Sequence, residues 1–285
     1  ALKLAEEKQA DIILVCDPDA DRMGVGVLHA GEYVLLSGNQ SGSVLIEYIL
    51  SQLKAKGQMP QNPVMFNTIV TSDLGEKIAS KYGVETEKTL TGFKFIGEKV
   101  AKYEKTQAKN YVFGYEESYG SLIKPFVRDK DAPQACLMLA EAACFYKAQG
   151  KTLVDVLNGL YEELGYYKES QTSLTLKGQE GAMRIQEILN TLRQDKPTQI
   201  GSVAVTAIED YQEATREEQG VVSPLEGFSR SNVLKYYLAD GSWIAIRPSG
   251  TEPKCKFYYC IKGTSAEDAE TKTEVMQKAI AQLVA

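Results

Sequence analysis

The chain has 285 residues, 44% of them hydrophobic and 25% charged, with a formal net charge of -6. That composition is globular and long enough for two or three domains, and its acidic balance argues against a nucleic-acid partner. No apolar run approaches the ~18–20 residues of a membrane span, and no signal-peptide pattern is present, so no membrane association is expected.

In chain order, Leu2 to Gln9 has a helical pattern, and the strand pattern Asp11–Cys16 leads straight into Asp17-Pro18-Asp19-Ala20-Asp21-Arg22. Alternating aspartates on a tight loop turn three carboxylates toward one point. Oxygen-only ligands of this kind suit Mg²⁺, Mn²⁺ or Ca²⁺. A solvated acidic loop is the other reading. The position after an apolar strand, taken as the C-terminal end of a parallel strand, favours a site. Two short alternating runs follow, Gly24–Leu28 and Tyr33–Leu36. His29, the only histidine, falls at a turn before Gly31, where no chemical role is expected of it. A segment of 1–38 is too small for a core of its own. Together with an alanine at position 1 and an opening inside a helical stretch, this predicts a piece of a longer protein.

A second segment, 39–166, alternates helix and strand signals. Leu45, Ile46, Ile49, Leu50 and Leu53 recur at helical spacing up to Gly57, and Val64–Val70 reads as a buried strand. Ser72 caps a helix carrying Leu74, Ile78 and Tyr82, stopped by Gly83. Strand patterns at Val84–Glu87 and Tyr111–Phe113 flank a helix over Ile96–Tyr103. Asp131 and Pro133 begin an Ala-rich helix to Lys147. It is apolar nearly all round and is expected to be buried. A last helix runs from Thr152 to Gly165. Such alternation predicts an α/β layer with a largely parallel sheet.

The third segment, 167–285, changes character. A helix over Ile185–Leu192 precedes strand patterns at Val203–Ile208, Val233–Leu238, Trp243–Ile246 and Lys256–Ile261, and a helix from Ala269 to Leu283 closes the chain. Asp240-Gly241 marks a hairpin. Strands in succession between helices predict a smaller α+β domain. Five cysteines, at 16, 136, 144, 255 and 260, form no C-x-x-C pair. They are expected to be buried free thiols of a cytoplasmic protein.

Three further stretches carry chemistry. Thr91-Gly92-Phe93-Lys94 is a loop before a helix, with a glycine that admits a ligand to the backbone. A plain loop-to-helix junction is the alternative. Gly114-Tyr115-Glu116-Glu117-Ser118-Tyr119-Gly120 places carboxylates and a hydroxyl at a strand end, suited to sugar hydroxyls or to a polar turn. Beyond it, Lys130 lies in Arg128-Asp129-Lys130-Asp131, a charged surface loop. A lysine there, lowered in pKa by neighbouring cations, could transfer protons. Arg247-Pro248-Ser249-Gly250-Thr251-Glu252-Pro253-Lys254 combines a guanidinium, hydroxyls, a glycine and an ammonium between two strands. It reads as a loop-built phosphate cradle, with Glu252 turned away toward Lys254 or Lys256.

These motifs, in this order, resemble the α-D-phosphohexomutase superfamily of phosphoglucomutases and phosphomannomutases. The resemblance spans residue 11 to about 260. It implies a four-domain α/β enzyme, of which this chain holds the end of domain two (1–38), domain three (39–166) and the α+β domain four (167–285). By resemblance, Asp17, Asp19 and Asp21 bind Mg²⁺ and Arg22 lies beside a phosphoserine. Thr91 and Gly92 read sugar orientation, while Glu116 and Ser118 bind sugar hydroxyls. Arg247, Ser249, Gly250, Thr251 and Lys254 grip the phosphate not being transferred, and Lys130 matches a general acid/base.

The implied activity interconverts glucose 1-phosphate and glucose 6-phosphate through a bisphosphorylated sugar. Phosphomannose or a phosphopentose is the alternative substrate. A metal-dependent phosphatase using Asp17 as nucleophile and a non-catalytic sugar-phosphate binding module are the other classes. Two departures stand out. Ala20 replaces a glycine common in the family, which is compatible only if the backbone there avoids positive φ. The family's phosphoserine loop, serine followed by histidine and asparagine, is not in this chain. Its missing partner is therefore expected in N-terminal domains of the same protein, and the chain alone is expected to lack mutase activity.

Overall fold

Helix α1 (Leu2–Lys8) leads into β1 (Ile12–Cys16), which pairs antiparallel with β2 (Met23–His29), itself paired with β3 (Glu32–Leu36). The computed structural model describes residues 1–250 and 252–284. The chain divides into two units, Ala1–Leu164 and Gly165–Ala285. In the first, the Cys16↔Met23 register makes residues 17–22 the link between β1 and β2. Among the described residues β1 pairs only with β2, so the acidic loop follows an antiparallel strand and not the parallel one expected.

Helix α2 (Gly38–Ala55) begins with a capping box: Ser37 accepts from the Gln40 N–H, and the Gln40 side chain accepts from the Ser37 N–H. The α/β layer then follows. Strand β4 (Pro63–Thr68), helix α3 (Asp73–Lys81), strand β5 (Glu85–Thr89), helix α4 (Phe93–Thr106) and strand β6 (Asn110–Tyr115) lead to the short strand β7 (Ser121–Leu122). The sheet order is β5-β4-β6-β7; β4 runs parallel to β5 and β6, and β7 is antiparallel.

Period-two alternation sorts β4 between the two faces. Val64 and Phe66 pack on Phe93, Ile96 and Val100 of α4. On the opposite face the Tyr115 ring fits where only glycine leaves room, since a Cβ at Gly42 or Gly75 would collide with it. The unit closes with α5 (Ala132–Lys147), capped by Asp131, and α6 (Leu153–Leu164).

The expectation that α5 is wholly buried is not met. Ala132, Ala135, Leu139, Ala142 and Tyr146 are buried, whereas Leu137 is 72% exposed and Phe145 38%. Three alanines with Leu139 and Tyr146 form the packed stripe, while Leu137 and Phe145 fall on the outer face. The cysteine expectation is corrected too: Cys255 and Cys260 are buried, but Cys16 and Cys144 are exposed and Cys136 is half-buried. Burial, with Cys16 beside it, pushes the Cys136 thiol up to about 11.

The second unit is one eight-stranded antiparallel sheet with two helices. Its elements are β8 (Tyr166–Thr175), α7 (Gly178–Gln194), β9 (Gln199–Ile200), β10 (Val203–Asp210), β11 (Thr215–Glu218), β12 (Val221–Pro224), β13 (Leu234–Leu238), β14 (Trp243–Pro248), β15 (Lys254–Gly263) and α8 (Ala266–Leu283). The order is β12-β11-β10-β13-β14-β15-β8, with β9 on β10. Ile185 and Leu189 from α7 and Met276 and Ile280 from α8 share a core with Tyr236, Ile244 and Phe257 of the sheet.

The Asp240-Gly241 hairpin forms as expected, with Gly241 at φ 85 and Tyr237 opposite Trp243. Strands β8, β11 and β12 escape a reading of the sequence. Strand β8 is polar and, among the described residues, pairs only with β15, while the β11–β12 hairpin is largely exposed and has little hydrophobic pattern to betray it. Among the described residues no helix is long and apolar enough to cross a membrane.

Candidate active site

The acidic loop closes on itself through Asp17. Its Oδ1 accepts from the backbone N–H of Asp21 (3.1 Å) and of Arg22 (3.0 Å). Those hydrogen bonds, the Arg22 N–H foremost, hold the Asp17 carboxyl below the usual range. The turn brings one carboxylate oxygen each from Asp17, Asp19 and Asp21 within 4.8 Å of one another. Asp21 Oδ1 is buried without a hydrogen-bond partner among the described residues. Three converging carboxylates, one with an oxygen that has no hydrogen-bond partner among the described residues, form an all-oxygen donor set that fits a hard divalent cation.

Ala20 has φ 56, in the left-handed region. The expectation that its backbone avoids positive φ is therefore overturned. The tight return of Asp21 and Arg22 onto Asp17 imposes that conformation, and alanine bears it at a cost of about 1–2 kcal/mol.

The loop is stitched to its neighbours by the backbone. Arg22 forms a bridge with Gly120, Met23 N–H donates to Tyr119 O (3.1 Å), and Ala132 N–H donates to Ala20 O (3.1 Å). The Arg22 side chain is about half exposed, 3.8 Å from both Asp17 Oδ2 and Asp21 Oδ1.

Lys130 comes from beyond the Glu116 loop, and its side chain is 8% exposed. Its Nζ lies 3.0 Å from Asp21 Oδ2 and 2.7 Å from Asp129 Oδ1, and 5.5 Å from the Phe93 ring centre. The stem passes over Gly120, where a Cβ would collide with Lys130 Cδ. Burial alone would pull its pKa down, but Asp129 and Asp21 outweigh it and the net shift is upward. The expected lowering by neighbouring cations is thus corrected: the groups touching the ammonium are carboxylates.

The strand β6 end delivers the next group. Glu116 is 4% exposed, and its Oε1 accepts from the Gly92 N–H at 2.9 Å. Burial, then the neighbouring Glu117, raises its pKa. Gly92 has φ 120, a conformation that leaves its N–H free to reach that carboxylate. Thr91 Oγ1 is buried without a hydrogen-bond partner among the described residues, and Ser118 is half-buried.

Residues not singled out from the sequence complete this loop. Glu117 Oε2 accepts from Thr68 Oγ1 (3.2 Å) and Thr71 Oγ1 (3.5 Å), which anchors the loop to the end of β4. At Gly38, the first residue of α2, a Cβ would come 2.5 Å from Tyr119 N and closer still to Glu117 O. The Thr68-x-x-Thr71 spacing after a buried strand is the one sequence signal of this anchor. Gly38 has none, because its reason is a close approach from another part of the chain. Within the first unit, Asp21 thus meets Lys130, Arg22 meets Gly120, and Glu116 meets Gly92; Asp17 and Asp19 lie on the same acidic loop, Thr91 precedes Gly92 and Ser118 follows Glu116 by two residues.

In the second unit, residues 249–253 link β14 to β15. Ser249 N–H donates to Lys254 O (2.7 Å) and Glu252 N–H to Ser249 Oγ (3.3 Å). Arg247 sits opposite Lys256 at the end of the pair, and nothing crowds the Cβ position of Gly250. Thr251 lies outside the described residues. No ion pair of Glu252 with Lys254 or Lys256 is found among the described residues, contrary to expectation, and Glu252 is exposed.

Comparison with known proteins bears on the family and the fold. The model for phosphoglucomutase/phosphomannomutase alpha/beta/alpha domain III matches residues 37–164, and that for the phosphoglucomutase/phosphomannomutase C-terminal domain matches 189–278. A phosphoglucomutase of Staphylococcus aureus (strain bovine RF122 / ET3-1) is 37% identical over 279 residues, covering 97% of this chain and 49% of its own length.

Among solved structures, the pp63/parafusin phosphoglucomutase of Paramecium superposes with a TM-score of 0.63 at 20% identity, over 96% of this chain and 46% of that one. A phosphoglucomutase/phosphomannomutase family protein of Burkholderia thailandensis gives 0.58 at 16%, over 99% and 48%. These two likenesses speak to the fold. The chain spans about half the length of the curated relatives it matches. Two consecutive domain models, the 37% identity and the shared fold together show that the chain belongs to the α-D-phosphohexomutase superfamily.

Proposed function

We propose that this chain supplies the metal loop, the sugar-reading loops and the phosphate loop of a phosphoglucomutase interconverting glucose 1-phosphate and glucose 6-phosphate. The observation that carries the reading is the junction of Asp21, Lys130 and Glu116 in one unit: a cation site, a buried ammonium and a sugar-type carboxylate on a common backbone frame. Segments 1–38, 39–166 and 167–285 are assigned to metal binding, sugar binding and phosphate binding.

In this reading Asp17, Asp19 and Asp21 hold Mg²⁺, which when bound offsets charge on the phosphoryl oxygens. Glu116 and Ser118 bind the sugar hydroxyls, with Glu116 kept in position by the Gly92 N–H. The orphaned Thr91 hydroxyl is free to meet the sugar. Lys130 holds a proton beside the metal loop, and Arg22 is directed to a phosphoryl group. Arg247, Ser249, Gly250, Thr251 and Lys254 take a sugar phosphate. The phosphoserine that exchanges this phosphoryl group comes from residues outside this chain.

Glucose is preferred over glucosamine as the sugar because Glu116-Glu117-Ser118 resembles glucose-handling members, and the S. aureus relative is named a phosphoglucomutase. The phosphatase alternative is weaker. It needs Asp17 as a nucleophile, and Asp17 Oδ1 already accepts two backbone N–H groups. Phosphomannose and phosphopentoses remain the alternative substrates.

Calorimetry of the 285-residue chain with glucose 6-phosphate tests the reading. Binding weakened about tenfold or more by Glu116→Gln is expected, from loss of a charged hydrogen bond to substrate, together with no turnover of glucose 1-phosphate. Turnover by this chain alone, or binding indifferent to Glu116→Gln, would overturn it. Phosphate release abolished by Asp17→Asn would favour the phosphatase instead.

A further inference from the structure

Cys16 and Cys136 are 120 residues apart in sequence, yet their sulfur atoms lie 3.6 Å apart. Cys16 ends β1 and immediately precedes Asp17; Cys136 lies in the first turns of α5, whose Ala132 N–H donates to Ala20 O. The two thiols therefore flank the acidic loop, one on the strand that enters it and one on the helix hydrogen-bonded to it. This is not core packing of the kind seen at Cys255 and Cys260, which are buried. Cys16 is exposed and Cys136 half-buried, so a small oxidant reaches the pair.

We propose that Cys16 and Cys136 form a reversible disulfide and that this bond makes the acidic loop responsive to peroxide. The coupling to cation binding rests on the metal reading of Asp17, Asp19 and Asp21 given above. The chemistry balances in two steps. Hydrogen peroxide oxidises the exposed Cys16 thiol to a sulfenic acid, cleaving the O–O bond and releasing one water. The Cys136 sulfur then displaces the hydroxyl from the Cys16 sulfur, forming the S–S bond and releasing a second water. A dithiol reverses the bond by exchange.

Closing from 3.6 Å to a bonded distance of about 2.05 Å brings the two sulfurs about 1.5 Å closer, and the fixed torsion of the new bond constrains the strand end against the helix. Asp17 is the next residue along the chain, so its carboxylate moves with the strand end. A displaced ligand costs affinity much as the loss of an outer-shell partner does, about 10–100-fold.

The test treats the 285-residue chain with hydrogen peroxide. Intact mass and peptide mapping are read before and after dithiothreitol, and Mn²⁺ binding is titrated in both states. Expected is the loss of two hydrogens, a crosslink joining the Cys16 and Cys136 peptides, full reversal by dithiothreitol, and Mn²⁺ affinity about 10–100-fold lower in the oxidised chain. Cys16→Ser and Cys136→Ser, checked for native circular dichroism, each abolish the crosslink and the affinity change, and Cys144→Ser abolishes neither.

Peroxide adding oxygen to Cys16 without a crosslink, or a crosslink through other cysteines, overturns the proposal. A Cys16–Cys136 crosslink with unchanged Mn²⁺ affinity overturns the coupling. A reduced chain that binds no Mn²⁺ overturns the metal reading and the coupling with it, while the mass measurement still decides the disulfide.

Discussion

Lys130 Nζ stands 3.0 Å from Asp21 Oδ2, which ties the segment beyond the Glu116 loop to the acidic loop more than a hundred positions earlier. The Lys130 ammonium occupies one oxygen of Asp21 while the other is buried without a hydrogen-bond partner among the described residues. A divalent cation on the loop would feel that positive charge. Lys130→Met is therefore expected to tighten Mn²⁺ binding by about three- to tenfold, the scale of a partly screened charge repulsion. Asp21→Asn is expected to weaken it by at least about tenfold. Titration of Mn²⁺ into both variants decides this; equal weakening by both would show that Lys130 organises the loop more than it repels the ion.

Ala20 bears a left-handed φ of 56. Relief of that strain favours glycine by about 1–2 kcal/mol, and the added freedom of the unfolded chain takes back about 0.4–1 kcal/mol. Ala20→Gly is expected to stabilise the first unit by up to about 1.6 kcal/mol. Urea unfolding measures it, and destabilisation would count against the conformation.

Gly38 is where α2 abuts the backbone of Glu117 and Tyr119. A methyl group there meets main-chain atoms that cannot rotate away. Gly38→Ala is expected to cost about 1–3 kcal/mol and to weaken glucose 6-phosphate binding by moving Glu116 and Ser118. A variant with unchanged stability and binding would refute the close approach.

Glu87 is the acid-sensitive point of the α/β layer. Burial would raise its pKa, but hydrogen bonds from Lys109, Tyr103 and Lys99 outweigh it and hold the carboxyl at about 2, below its ordinary 4.5. A depressed folded-state pKa means stability that is fully present above pH 4.5 and lost as pH falls from 4.5 through about 2. Glu87→Gln is expected to lower stability at pH 7 by about 1 kcal/mol, as for a partly exposed ion pair. It should also flatten the acid limb between pH 4.5 and 2. Urea midpoints measured across that range check both.

Much of this molecule was legible as local pattern. The helix starts at Ser72 and Asp131, the β4 strand and the Asp240-Gly241 hairpin all announce themselves within a few residues, because capping, burial and turn geometry act over that range. The acidic loop, the Glu116 loop and the Arg247–Lys254 loop were likewise visible, each as a run of groups whose chemistry is compressed into a short stretch.

What only the tertiary structure decided was the company these groups keep. The carboxylates around Lys130 reverse the expected direction of its pKa, and the left-handed turn at Ala20 follows from the loop folding back on Asp17. The need for glycine at 38 and the meeting of Cys16 with Cys136 come from segments far apart in the chain. Side-chain type and spacing determine what a residue can do and which local element it joins. Its charge state, strain and partners depend on distances through space, which the order of the amino acids does not display.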